Sequence, residues 1–329
     1  MQTPINIIIL AAGLGTRMKS KQAKVLHQAG GMPLAEHVVR TALDLAAPEN
    51  VHVVVGNQAE HVRAALSHFG VRFVHQSEQK GTGHAIMVCR DQVAGATGPL
   101  VVLYGDAPLL RTATLRRLVD EQAATGAAAT LLTTVLDDAT GYGRIVRDEN
   151  GGIAAIVEQK AATPEQHAIR EINSGVYCFN GRLLWKHLFE IGADNPANEF
   201  YLTDIVGIFR ANGYGVRPVV LADSNEVLGI NTRAELALVD RVFRDRKVNE
   251  LMLAGVTIQK PETVTIDAAV SIGRDSIIEP FAQILGNTIM GEDCRVGACS
   301  IVRDSALGDG AVVQQFSMVE SSQVDAGAR

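Results

Sequence analysis

The sequence predicts an α/β domain built on a mostly parallel sheet with helices on both faces, followed by a connecting helix and a short parallel β-helix. Three observations carry this prediction. Short apolar runs alternate with helix-length amphipathic stretches through the first 125 residues, a single helical pattern covers 233–254, and aliphatic–glycine pairs then recur at multiples near five or six residues.

The apolar, β-rich runs lie at 5–10, 51–55, 71–75 and 99–105, and the amphipathic stretches between and after them at 33–46, 58–69, 83–94 and 112–125. Such alternation predicts βαβ units and a parallel sheet. Ligands of such sheets bind beyond the carboxyl ends of the strands, where the strand order switches. From residue 128 the rhythm gives way to strand-rich segments around 127–135, 143–148, 152–158 and 173–180, expected to form an antiparallel extension bearing part of a pocket. In 233–254, Leu236, Val239, Val242, Phe243, Val248, Leu251 and Met252 fall at helical spacing, and Gly255 follows as a stop signal. Ile272-Gly273, Leu285-Gly286, Met290-Gly291, Val296-Gly297 and Leu307-Gly308 then mark the short repeat. Each six-residue unit can form one strand and turn of a β-helix, its aliphatic residue inward and its glycine at the corner. The sequence stops at 324–329 in mid-pattern, so a β-helix stub is expected; the domain boundaries read as 1–231, 232–255 and 256–329.

Composition narrows the function classes. The 30 basic and 36 acidic residues form no long single-sign run, which gives no footprint for nucleic acid or an acidic membrane surface. The first residues, Met1 to Pro4, enter a strand-like run without a basic, apolar leader or a membrane-spanning length, so a cytoplasmic protein is expected. Cys89, Cys178, Cys294 and Cys299 contain no C-x-x-C pair and read as reduced, mostly buried thiols.

Chemistry gathers at the predicted strand ends. Leu10-Ala11-Ala12-Gly13-Leu14-Gly15-Thr16-Arg17-Met18 follows the first strand, and a glycine-rich turn there lets backbone N–H groups approach phosphate oxygens. Met18 stands where a dinucleotide fingerprint needs glycine, and no Gly-Lys-Ser/Thr occurs. Arg17 and Lys24 add cations suited to a triphosphate. After the third strand, Gln76, Gly81 and Thr82 can meet a uracil edge, because an amide reads an imide by paired hydrogen bonds; His84 reads as a helix-start residue. The fourth strand ends in Tyr104-Gly105-Asp106, a carboxylate placed to hold Mg2+, with a cap before Pro108 as the other reading.

The run from Leu10 to Met18, followed by Lys24-Val25-Leu26-His27, resembles the sugar nucleotidyltransferase signature, a Rossmann-like fold; Ala23 stands where that family usually has proline. Gly141 to Ile145, Val157 to Lys160, Glu171 to Gly175, Asn198 to Asp204 and Val227 to Thr232 extend the likeness along residues 5–329. In order, they resemble the bifunctional N-acetylglucosamine-1-phosphate uridyltransferase and glucosamine-1-phosphate acetyltransferase family, whose second domain is a left-handed β-helix. The resemblance implies Arg17, Lys24 and Asp106 as catalytic residues, and Leu10, Ala11, Ala12, Gly13, Gly15, Lys24, Gln76, Gly81, Thr82, Tyr104, Gly105 and Asp106 around the nucleotide. It further implies Gly143, Glu158, Asn173 and Thr203 around the sugar and Asn231 as the second Mg2+ ligand, although Asn231 could instead cap the following helix.

The implied substrates are UTP and N-acetylglucosamine 1-phosphate, and the products UDP-N-acetylglucosamine, used in peptidoglycan and lipopolysaccharide synthesis, and pyrophosphate. Acetylation belongs to later coils, and a homotrimer is implied for the full-length protein. A glycosyltransferase using UDP-sugar generally carries Asp-x-Asp, which is absent here. A silent sensor or scaffold is the competing class, and a glucose 1-phosphate enzyme the neighbouring one.

Overall fold

In the computed structural model the described residues are 4–93, 95 and 97–329; Met1 to Thr3, and Ala94 at the end of the helix expected over 83–94, lie outside them. Four strands, β1 (Asn6–Ala11), β2 (Val51–Val55), β3 (Arg72–His75) and β4 (Pro99–Tyr104), pair in parallel in the order β3-β2-β1-β4. The chain steps outward from β1 to β3 and then returns to the other side of β1. The strand order therefore switches between β1 and β4, which opens a crevice beyond Ala11 and Tyr104.

Near-continuous aliphatic runs form β1, β2 and β4 because both faces of the sheet are covered there, whereas the edge strand β3 exposes Arg72 and His75. Ile7, Ile9, Val53 and Leu103 join one buried cluster, while Ile8, Val54, Leu100 and Val102 join another. The helices α1 (Leu34–Leu43), α2 (Ala59–Leu66), α3 (Thr82–Met87), α4 (Arg90–Val93) and α5 (Thr112–Thr125) follow the strands. The helix expected over 83–94 is broken in two, because Cys89 donates its N–H to Ile86, a tightened turn that interrupts the regular ladder.

The extension adds β5 (Ala129–Val135), β6 (Arg144–Arg147), β7 (Ile153–Val157), β8 (Glu171–Asn180) and β9 (Val216–Leu221), completing a nine-stranded sheet. Strand β8 is antiparallel to β4, β5 and β6, as expected, whereas β9 runs parallel to β5. The short α6 (Pro164–His167) and α7 (Gly181–His187) and the longer α8 (Asp204–Ala211) connect them.

Two compact units divide the chain, and residues His27–Pro33 belong with Thr232–Arg329 in the second. That segment is a hairpin of Gln28–Ala29 with Met32–Pro33, turned by Gly30 and Gly31 at positive φ. Within the second unit, Gly30 donates to Asp240 Oδ1 at 2.8 Å on helix α9 (Arg233–Leu253), and its carbonyl accepts from Ala268 at 2.8 Å. Thr232 and Glu235 form a reciprocal capping box at the start of α9.

The repeat after α9 folds into three four-stranded parallel sheets that the chain visits in turn. Thr257 pairs with Ile277, Ile277 with Arg295 and Arg295 with Val312, so one coil takes 20, 18 and 17 residues successively. Ile258, Ile266, Ile272, Ile278, Ile284, Met290, Val296, Val302, Leu307 and Val313 point inward and are buried. A Cβ on Gly297 would lie 2.5 Å from the backbone of the next coil, which explains the glycine at that corner. Three cysteines are buried and Cys299 is exposed; burial pushes Cys89 and Cys178 up to about 12. Among the described residues no helix is long and apolar enough to cross a membrane.

Candidate active site

The crevice at the switch point is walled by the ends of β1 and β4, where Gly105 donates its N–H to the Leu10 carbonyl at 3.0 Å. Leu10 and Ala11 end β1, Ala12 and Gly13 lead out of it, and no atom stands within 4 Å of a Cβ built on Gly13, so the turn is open to an approaching group. Gly15 adopts φ +61°, and a Cβ there would meet the Cβ of Lys24 at 2.7 Å; the loop thus packs directly on Lys24. The Ala23 N–H donates to Gln58 Oε1 at 3.2 Å, and the Gln58 amide donates back to the Lys21 carbonyl. Two side-chain bonds tie the loop where the family's proline ring usually stiffens it, and proline could not make the first.

Four side chains meet in front of this loop. The Lys24 ammonium forms an ion pair with Asp106 and also donates to Asn231 Oδ1 at 3.3 Å, while Arg17 Nη2 donates to the same oxygen at 2.8 Å. Asn231 reaches the site because Ile230 donates its backbone N–H to the Asp106 carbonyl at 3.0 Å. Among the described residues no three His, Cys, Asp or Glu side chains gather around a common point. Asp106 and Asn231 offer two hard oxygens, already turned to one cation, the lysine ammonium.

Gln76, buried, donates from Nε2 to the Gly81 carbonyl at 3.3 Å and meets His84 Nδ1 at 3.1 Å. With both amide hydrogens committed, its oxygen is the atom left to read a ligand. Phe200 brackets this loop: its N–H donates to the Lys80 carbonyl at 2.8 Å and its carbonyl accepts from Gly83 at 2.7 Å. Thr82 Oγ1 accepts from the Leu202 N–H at 3.0 Å. Burial, then the Glu158 and Asp106 carboxylates, hold the Tyr104 phenol above its usual range against a hydrogen bond with Thr82.

A third group lies around Glu158, which accepts from Thr203 Oγ1 at 3.1 Å. Asn173 donates its backbone N–H to the Gly143 carbonyl at 2.8 Å, and a Cβ built on Gly143 would sit 3.6 Å from Glu158 Oε1 and 3.7 Å from Asn173 Cβ. Glu158 and Asn173, with Ile156 Cγ2 at 3.2 Å, therefore border the space that a side chain at Gly143 would occupy. Burial, followed by the Asp204 and Glu199 carboxylates, raises Glu158 above its ordinary 4.5, and the Thr203 hydroxyl works against them.

A carboxyl raised on folding contributes stability that is fully present below 4.5 and lost as pH rises through the folded value. Glu158→Gln is accordingly expected to melt above the wild type at neutral pH, with the gap closing on acidification. Thermal unfolding across that range checks this, and a variant less stable than the wild type at neutral pH contradicts it.

The structure thus brings Arg17, Lys24, Asp106 and Asn231 into one contact group, Gln76, Gly81 and Thr82 into a second, and Gly143, Glu158, Asn173 and Thr203 into a third. Tyr104 lies near members of all three, hydrogen-bonded with Thr82 and close enough to Glu158 and Asp106 to feel their charge. Gln58 has no sequence signal beyond the departure at Ala23, and Phe200 lies inside the run Asn198 to Asp204, but its bracket on Lys80 and Gly83 spans more than a hundred residues and is a fact of the fold.

The MobA-like NTP transferase domain matches residues 7–148, and the bacterial transferase hexapeptide repeat matches 269–304. The chain is 57% identical over 309 residues to the bifunctional protein GlmU of Solibacter usitatus, covering 94% of this chain and 66% of that protein. It is 46% identical to the GlmU of Koribacter versatilis, covering 98% and 69%, and 46% identical to that of Streptomyces avermitilis, covering 99% and 68%. It spans about two thirds of the length of these curated relatives. A Bacillus anthracis crystal structure named for a glucose-1-phosphate thymidylyltransferase shares the fold at TM-score 0.56 and 22% identity, covering 72% of this chain and 94% of that one. With a transferase match on the sheet, a hexapeptide match on the coils and nearly all of this chain aligned to about two thirds of each GlmU relative, the chain belongs to the GlmU family and is a sugar-1-phosphate nucleotidyltransferase.

Proposed function

We propose that the chain transfers a uridylyl group from UTP to N-acetylglucosamine 1-phosphate, releasing pyrophosphate and UDP-N-acetylglucosamine. The observation that carries this reading is the joint hold of Asp106 and Asn231 on the Lys24 ammonium, with Arg17 on the same asparagine, beneath an open glycine turn at the switch point. A phosphate oxygen of the sugar phosphate attacks the α-phosphorus, a new P–O bond forms, and the α–β bridging bond breaks with its electron pair leaving on pyrophosphate. The nucleophile is already anionic, so no general base is required.

Arg17, Lys24 and the turn amides offset charge on the α-phosphoryl and leaving groups, the Gln76 oxygen accepts from the uracil imide, and Glu158, Asn173, Thr203 and the Gly143 backbone orient the sugar. Asp106 and Asn231, a hard-oxygen pair, fit Mg2+ and would be the residues that hold it. When bound, that ion supplies neutralisation of the gathered phosphates.

For a protein of the relatives' full length we propose acetylation of glucosamine 1-phosphate as a second activity, a homotrimeric assembly and a cytoplasmic location. The deciding assay is pyrophosphate release with UTP and Mg2+, comparing N-acetylglucosamine 1-phosphate with glucose 1-phosphate and glucosamine 1-phosphate. Release with the N-acetylated sugar alone supports the proposal. Preference for glucose 1-phosphate moves the sugar assignment, and silence with all three favours a sensor.

A further inference from the structure

Asn173 and Tyr177 stand four residues apart on β8, which in a regular strand is about 13 Å between Cα atoms. Here the Asn173 amide nevertheless donates to Tyr177 Oη at 2.7 Å. The reason is a slip in register: Asn173 lies opposite Thr133 and Tyr177 opposite Leu131, so the intervening residues of β8 bulge. Gly175, at φ +81°, forms the bulge, and the Tyr104 ring fills the place of its missing Cβ, 2.6 Å from Cε2.

The same bulge fixes which way the amide points. Gly175 donates its N–H to the other end of the Asn173 side chain at 3.0 Å, and a backbone donor requires an oxygen there. The end at Tyr177 is therefore the NH2 group, and the tyrosine hydroxyl accepts. Tyr177 is 0% exposed and its ring stacks on Phe179 at 5.1 Å within an apolar cluster, a place phenylalanine would fill equally well. A buried hydroxyl is tolerated only when paired, and the partner it has is Asn173.

We infer that Tyr177 is a positioning residue for the sugar phosphate: its hydroxyl and the Gly175 N–H together clamp Asn173, leaving one amide hydrogen and one oxygen lone pair for the space beside Glu158 and Gly143. This rests on the proposed reading of Asn173 as a sugar contact, and it adds how that contact is aimed.

Steady-state pyrophosphate release by Tyr177→Phe, Asn173→Ala and the double variant, with UTP and N-acetylglucosamine 1-phosphate, tests it. Tyr177→Phe is expected to raise the KM for the sugar phosphate about 10-fold, as loss of one well-placed hydrogen bond does, with kcat and the KM for UTP within about twofold. In the Asn173→Ala background it should add nothing. Phenylalanine keeps the ring, and matching thermal midpoints verify the fold. An unchanged sugar KM in Tyr177→Phe, or an equal rise with and without Asn173, overturns the positioning role. An unchanged KM in Asn173→Ala overturns the sugar reading of Asn173 itself, so the two failures are distinguishable.

Discussion

Asp106→Ala is expected to lower kcat for pyrophosphate release roughly 100-fold or more while leaving a cooperatively folded protein. Asp106 follows the buried β4 strand, and its carboxylate pairs with Lys24, itself packed on Gly15. Removing it leaves the ammonium with Asn231 alone and takes away one of two hard oxygens proposed for the metal. The loss should therefore appear in kcat more than in the KM for the sugar phosphate, whose proposed contacts lie around Glu158. Asp106→Asn, which keeps the shape and removes the charge, should fall nearly as far, and added Mg2+ should restore neither fully. Normal kcat in both variants, with unchanged dependence on Mg2+, would refute the assignment.

What the sequence could carry depended on the range of the interaction. The aliphatic runs of β1, β2 and β4 were legible because strands buried on both faces must be apolar, and α5 because its whole apolar stripe lies inside Thr112–Thr125. The β-helix was legible because each coil repeats the same demand, an aliphatic residue inward and a small one at the corner. The hairpin at 27–33 was not: the Gly30-Gly31 turn is visible in the sequence, but its partners Asp240 and Ala268 lie over 200 residues away. In the site, strand-end placement points to Asp106 and a glycine turn to Lys24, whereas their direct pairing is a fact of three dimensions. Tyr177 was hidden by the bulge, since strand periodicity gives no reason to bring it onto Asn173.

Gly81 shows how narrowly the nucleotide loop is specified. Its φ of 104° and ψ of 175° lie in a region essentially reserved for glycine, and a Cβ there would stand 2.6 Å from the Phe200 carbonyl oxygen and 2.9 Å from the Phe200 nitrogen. Both of those backbone atoms are already engaged, one with Gly83 and the other with Lys80, so alanine must either break the bracket or move the loop. Gly81→Ala is expected to destabilise by about 3 kcal/mol, a fall in melting temperature of roughly 10 °C. It should also raise the KM for UTP, because Gln76 is oriented by the Gly81 carbonyl. Gly207 is the matched control: it sits inside α8 with no atom within 4 Å of a built Cβ, and alanine there should be neutral or stabilising by up to about 1 kcal/mol through helix propensity. Equal melting temperatures for the two variants would mean that the bracket between Gly81 and Phe200 yields easily and does not hold the loop.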